Sequence, residues 1–124
     1  MATTSVLIVD DEPHIVEALR FLVEQKGYQT YAAYNGTDGL ALAKRHRPSV
    51  VILDVMMPGM DGYEVASAIR EVSDLANTTI IFLSAKGSEN DKVQGYISGG
   101  EIYLTKPFDN EEVINVISEV FEFG

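Results

Sequence analysis

The sequence predicts an α/β fold, a parallel five-stranded sheet in the order 2-1-3-4-5 with five helices divided between its two faces. Three observations predict it. Short β-branched runs without polar alternation mark strands buried on both faces. Apolar stripes at helical spacing fill the intervals between them. The strict alternation of the two periods, joined by right-handed crossovers, builds a sandwich. For five such units the order 2-1-3-4-5 is common, and its ligand crevice lies beyond the carboxyl ends of strands 1 and 3.

The first strand is Ser5–Val9, an uninterrupted apolar run. Pro13–Gln25 follows as a helix: Val16, Leu19 and Val23 recur at its period, Ile15 and Leu22 widen the stripe, Pro13 suits the first turn and Gly27 the stop. Gln29–Ala33 alternates, as an edge strand should. A helix over 37–46 carries Leu40, Leu42 and Ala43 and ends before Pro48. Val50–Leu53 is the third strand, and residues 62–72 form a helix on Val65, Ala66 and Ile69. The fourth strand spans 79–83. The helix after it, Glu89–Ser98, has only Val93, Tyr96 and Ile97 as apolar anchors and should pack least firmly. Ile102–Thr105 is the fifth strand. The last helix, 109–121, carries Val113, Val116, Ile117 and Val120, with Asp109 or Asn110 to cap it.

The chain of 124 residues suits one domain over 1–124, large enough for a core without staples. Nine Lys and Arg stand against 19 Asp and Glu, a formal net charge of −10, which disfavours direct binding to nucleic acid phosphates. The absence of cysteine excludes disulfides, thiolate metal sites and cysteine nucleophiles. Met1-Ala2-Thr3-Thr4-Ser5 has no basic leader, and no apolar run is long enough to span a bilayer, so a cytoplasmic protein is expected.

The polar residues at the strand ends carry the chemistry. Strand 1 ends in Asp10-Asp11-Glu12, strand 3 in Asp54, strand 4 in Ser84-Ala85 and strand 5 in Thr105-Lys106-Pro107. In a parallel sheet these ends share one edge, so the carboxylates of Asp10, Asp11 and Asp54, a hydroxyl and an ammonium converge. Two negative charges about 4 Å apart repel by roughly 4 kcal/mol at an effective dielectric of 20. Such a group takes up protons or holds a cation, and oxygen donors without His or Cys favour Mg²⁺ or a similar hard ion such as Mn²⁺. Lys106 adds a positive charge that a metal alone would not need but a phosphoryl group beside it would. Asp54 is then the candidate nucleophile, because carboxylates form aspartyl phosphates. Pro58-Gly59 turns the chain so that Asp54 and the Met56 carbonyl can both face a metal. Taken singly, Asp11 reads equally as a helix cap, Asp54 as the start of a turn and Lys106 as a surface lysine. Their convergence favours a site.

At these residues the sequence resembles the receiver domain of two-component response regulators, which is flavodoxin-like. The resemblance rests on Val6-Leu7-Ile8-Val9-Asp10-Asp11-Glu12, on residues 51–62 (VILDVMMPGMDG), on Leu83-Ser84-Ala85 and on Tyr103-Leu104-Thr105-Lys106-Pro107-Phe108. A chemotaxis receiver is itself a standard example of the 2-1-3-4-5 order. The resemblance implies that Asp54 accepts a phosphoryl group from a sensor histidine kinase or histidine phosphotransfer protein. It implies Mg²⁺ held by Asp11, Asp54 and the Met56 carbonyl, with Asp10 assisting through water. Lys106 would pair with the phosphoryl group, Ser84 would move to bond it, and the Tyr103 rotamer would follow Ser84. Ala85 would leave room, while Met56 and Lys86 would tune the lifetime. The output face would be helix 4, strand 5 and helix 5, and the domain a signalling switch rather than an enzyme with a separate substrate. The partner downstream is a protein target or an effector domain following residue 124.

Two features depart from the family pattern. Gly99-Gly100-Glu101-Ile102 replaces a more acidic run, and the last helix has no Lys or Arg, which argues against a charge-paired dimer. Gly99-Gly100 suggests backbone freedom after the fourth helix, and Ile102 suggests a more hydrophobic output contact. Other classes fit less well. A haloacid-dehalogenase-type phosphatase needs a second acid where Met56 stands, and a flavodoxin-like cofactor binder needs a phosphate-cradling loop where Asp10-Asp11-Glu12 would repel the ligand. A phosphate-blind pseudo-receiver should have lost Asp54, Lys106 or the acidic pair, and all are present.

Overall fold

The computed structural model describes residues 4–123, so the reading of the first three residues lies outside it. Its elements run β1 (Ser5–Val9), α1 (Pro13–Gln25), β2 (Gln29–Ala33), α2 (Gly36–His46), β3 (Val50–Leu53), α3 (Gly62–Arg70), a 3₁₀ turn (Ser73–Leu75), β4 (Thr79–Ser84), α4 (Glu89–Ser98), β5 (Ile102–Thr105) and α5 (Asn110–Phe123). The strands form one parallel sheet in the order β2-β1-β3-β4-β5. The fold expected from sequence is the fold observed.

Strand periodicity divides the core in two. Val6, Ile8, Val50, Ile52, Ile81 and Leu83 point to α1 and α5, meeting Val16, Leu19, Val23, Val113 and Ile117. Leu7, Val9, Val51, Leu53, Ile80, Phe82 and Tyr103 point the other way, to Ala43, Val65, Ala66 and Ile69 of α2 and α3. Apolar runs without alternation were therefore the correct sign of strands covered on both sides.

Element ends follow local chemistry. α2 starts one residue before the expected 37 because Asn35 accepts the Asp38 N–H at 2.8 Å. α3 stops at Arg70 instead of 72: Val72 turns extended and the 3₁₀ turn buries Leu75. Asp109 caps α5 by accepting the Glu111 N–H at 2.8 Å, and the helix continues beyond 121.

Two readings are corrected. Val93, Tyr96 and Ile97 do not anchor α4; they are 52%, 51% and 75% exposed. The inward positions are Gly95 and Ser98, where a Cβ on Gly95 would stand 2.8 Å from the Tyr103 ring, so backbone rather than side chain meets the sheet. Nor do Gly99 and Gly100 serve as free backbone. Gly99 is the left-handed cap of α4, and a Cβ on Gly100 would lie 2.4 Å from Phe82. Ile102 is half-buried against the α1/α5 core, so part of its side chain packs and part stays at the surface.

Candidate functional site

Parallel register brings the strand ends to one edge, as expected. Val9 pairs with Leu53, Leu53 with Phe82 and Ser84 with Thr105. The next residues, Asp10, Asp54 and Lys106, are held by continuing ladder bonds: Asp10 N–H to Ala33 O, Asp54 N–H to Val9 O and Lys106 N–H to Ser84 O at 3.2, 2.9 and 2.9 Å. Carboxylate oxygens of Asp10, Asp11 and Asp54 lie within 4.8 Å of one another. Asp10 and Asp54 are buried and Asp11 is exposed.

The Lys106 ammonium stands among the acids, 2.8 Å from Asp10 Oδ2, 3.5 Å from Glu12 Oε2 and 3.6 Å from Asp54 Oδ2. The sequence shows Glu12 in the acidic run after strand 1 but carries no signal of its reach to this lysine. Asp11 does not cap α1: Glu12 holds the N-cap position, and no side chain bonds the first turn. Turn geometry alone does not account for Asp54 either. Gly62 packs so closely behind it that a Cβ there would be 2.2 Å from the Asp54 carbonyl oxygen, and the Gly62 N–H bonds Val55 O at 2.9 Å. The start of α3 thus clamps the Asp54 backbone, and Met56 follows in the turn with its side chain exposed.

Burial pushes the Asp54 carboxyl up to about 6, with the Asp10 charge adding to the rise and Lys106 opposing it. Burial also raises Asp10, against the pull of its Lys106 hydrogen bond. The Lys106 ammonium is held above its usual range by Asp10, Asp54 and Glu12, which together outweigh its own burial. One ammonium cannot neutralise this many carboxylates. The all-oxygen donor set fits a hard divalent ion, which would supply the missing positive charge.

Ser84 and Tyr103 meet on the Lys86 backbone. Ser84 Oγ, fully buried, accepts the Lys86 N–H at 3.2 Å, and the Tyr103 hydroxyl donates to the Lys86 carbonyl. Tyr103 is inward, beside Phe82, with its phenol raised by burial. The polar ties of α4 continue this arrangement. Tyr63 donates to Asp91 O, Ser88 and Asp91 form a capping box, and Arg70 donates to Gly99 O at 2.9 Å while pairing with Glu101. Nothing in the sequence pattern signalled Arg70.

The family model described as the response regulator receiver domain matches residues 6–118. The chain belongs to this family. The Vibrio cholerae chemotaxis protein CheY4 is 34% identical with a TM-score of 0.90, covering 96% of this chain and 99% of its own. The receiver domain of Francisella response regulator 1452 is 32% identical with a TM-score of 0.88, covering 97% and 98%. The BeF3-activated DrrB receiver domain, at 27% identity and a TM-score of 0.87, covers 97% and 98%. Receiver domains of two-component systems act as signalling switches, and phosphoryl acceptance is general to them. Among the described residues no helix is long and apolar enough to cross a membrane.

Proposed function

We propose that Asp54 is the phosphoacceptor of this receiver domain, and that a histidine kinase or histidine phosphotransfer protein supplies the phosphoryl group. The observation that carries the reading is a buried carboxylate flanked by the Lys106 ammonium at 3.6 Å and by two further carboxylates within 4.8 Å. An Asp54 oxygen attacks phosphorus in line; the O–P bond forms as the P–N bond to the donor histidine breaks. The electron pair of that bond stays on the imidazole nitrogen, and no redox change occurs. Hydrolysis reverses the state, water replacing the Asp54 oxygen on phosphorus to release inorganic phosphate.

Asp11, Asp54 and the Met56 carbonyl would hold Mg²⁺ or Mn²⁺, with Asp10 assisting. Such an ion supplies positive charge beside the transferring oxygens. Lys106 pairs with the phosphoryl oxygens as they arrive. Ser84 turns its hydroxyl toward them, which requires release of the Lys86 N–H. Tyr103 holds the carbonyl of that same residue, so a change at Ser84 reaches the aromatic through one peptide segment. The rotamer of Tyr103 then biases the placement of α4 and β5 toward a downstream protein or effector domain.

The test is incubation with Mg²⁺ and acetyl phosphate, read by intact mass. Wild type gains one phosphoryl group and Asp54→Asn gains none. An equally modified Asn variant would place the acceptor elsewhere.

A further inference from the structure

We infer that Glu12 is a positioning residue that competes with the incoming phosphoryl group for Lys106, an inference resting on the phosphoacceptor reading of Asp54. An ammonium has three N–H donors. Here three carboxylates surround one ammonium before any phosphoryl group is attached: Asp10 and Glu12 accept hydrogen bonds from it, and Asp54 stands at ion-pair distance, 3.6 Å away.

The three acids are not equivalent. Asp10 and Asp54 belong to the acidic cluster. Glu12 does not, and its side chain makes no capping bond to α1. Besides Lys106, the side-chain nitrogen nearest its carboxylate among the described salt-bridge contacts is His14 Nε2, at 3.9 Å on the exposed side. Its backbone carries the structural duties instead. The N–H donates to Asp10 Oδ1 at 2.9 Å, and the carbonyl accepts from Ile15 and Val16. The Glu12 carboxylate is therefore dispensable to the fold yet placed on the group that the phosphoryl oxygens need. It draws Lys106 toward the strand 1 side and sets a negative charge near an arriving dianion. For a phosphorylated Asp54 to take the full donor set of Lys106, Glu12 must yield its share.

Beryllofluoride in excess Mg²⁺ is the probe, titrated into the full chain and followed by amide chemical shifts in wild type, Glu12→Gln and Glu12→Asp. Shortening to Asp withdraws the carboxylate by about 1.5 Å while keeping its charge. Both variants should bind beryllofluoride about two- to fivefold more tightly, the range of a half-exposed ion pair. With acetyl phosphate, both should reach half-maximal modification at lower donor concentration, with the maximal rate and Mg²⁺ affinity within twofold of wild type. Tightening by Gln with an Asp variant like wild type would reduce the effect to general charge and overturn the competition. No change in either variant would overturn it equally. Failure of wild type to bind beryllofluoride at all would instead strike the phosphoacceptor reading beneath it.

Discussion

Helices α1 and α4 show the same kind of apolar spacing in sequence and are held in opposite ways. α1 buries Val16, Leu19 and Val23 completely. α4 buries Gly95 and Ser98 and leaves Val93, Tyr96 and Ile97 in solvent. Burial of a large aliphatic side chain contributes roughly 1.5–3 kcal/mol, so α1 is fixed by its middle. α4 is fixed at its ends, through the Ser88–Asp91 capping box, Tyr63 on the Asp91 carbonyl and Arg70 on the Gly99 carbonyl. A helix tied by a few polar contacts opens locally at lower free energy than the whole domain unfolds. That difference makes α4, and not α1, the helix expected to open locally.

The largest effect that should expose the contrast is in α1. Leu19→Ala leaves a void in the α1/α5 core and is expected to lower unfolding free energy by about 2–5 kcal/mol, measured by urea denaturation. Hydrogen exchange should accelerate across α1 and the central strands. If only α1 amides lost protection, that helix too would be a local opener and the contrast would fail.

Charge in the pocket comes second, and it acts on the domain as a whole. With a carboxyl pKa of about 6 against an ordinary 3.8, native Asp54 binds its proton more tightly than the unfolded chain does. Between those values the native state holds the extra proton, so stability falls as pH rises through the window and is lowest above it. Asp54→Asn removes that slope. Without metal it should unfold with a free energy on the order of 2–3 kcal/mol higher near pH 7.5 and nearly unchanged below pH 4. Protection should rise in α1, which reports global opening, and stay level in α4. A wild-type advantage at neutral pH would show the carboxylates already compensated by Lys106. Added Mg²⁺ should shrink the gap by stabilising wild type alone.

Gly95→Ala comes third. Its Cβ would stand 2.8 Å from Tyr103 and 3.1 Å from Phe82, so those rings or the helix must shift, costing about 1–3 kcal/mol. The change should appear in the amide shifts of α4 and β5 while α1 is unmoved. Shifts that spread equally to α1 would mean that α4 is welded to the sheet.

Much of this arrangement was legible in sequence, and the part that was not has a common cause. Parallel strands force Asp10, Asp54, Ser84 and Lys106 onto one edge, so the pocket followed from strand order once the runs were located. Spacing on a helix, however, gives an apolar stripe without saying which side the sheet lies on. In α4 the sheet meets a glycine, because the Tyr103 and Phe82 rings fill the space that a side chain would need. Gly99-Gly100 misled in the same way, since close packing and flexibility call for the same residue. The reach of Glu12 to Lys106 and the grip of Arg70 on Gly99 depend on long side chains crossing between elements, for which periodicity carries no signal.

The smallest expected effect is the sharpest test of the comparison. Ile97 is three-quarters exposed at the C-terminal half of α4. If α4 is held by its ends, Ile97→Ser removes no core contact, and the unfolding free energy should change by less than about 0.5 kcal/mol. The same substitution at a truly anchoring isoleucine, such as Ile117 of α5, would remove a buried side chain and add an unpaired hydroxyl. Measured side by side, the two variants compare one residue type, one replacement and two helices. A loss at Ile97 approaching that at Ile117 would mean that α4 carries its stripe inward in solution, as the apolar spacing alone suggests. It would also displace Gly95 from the Tyr103 ring, against which it packs here.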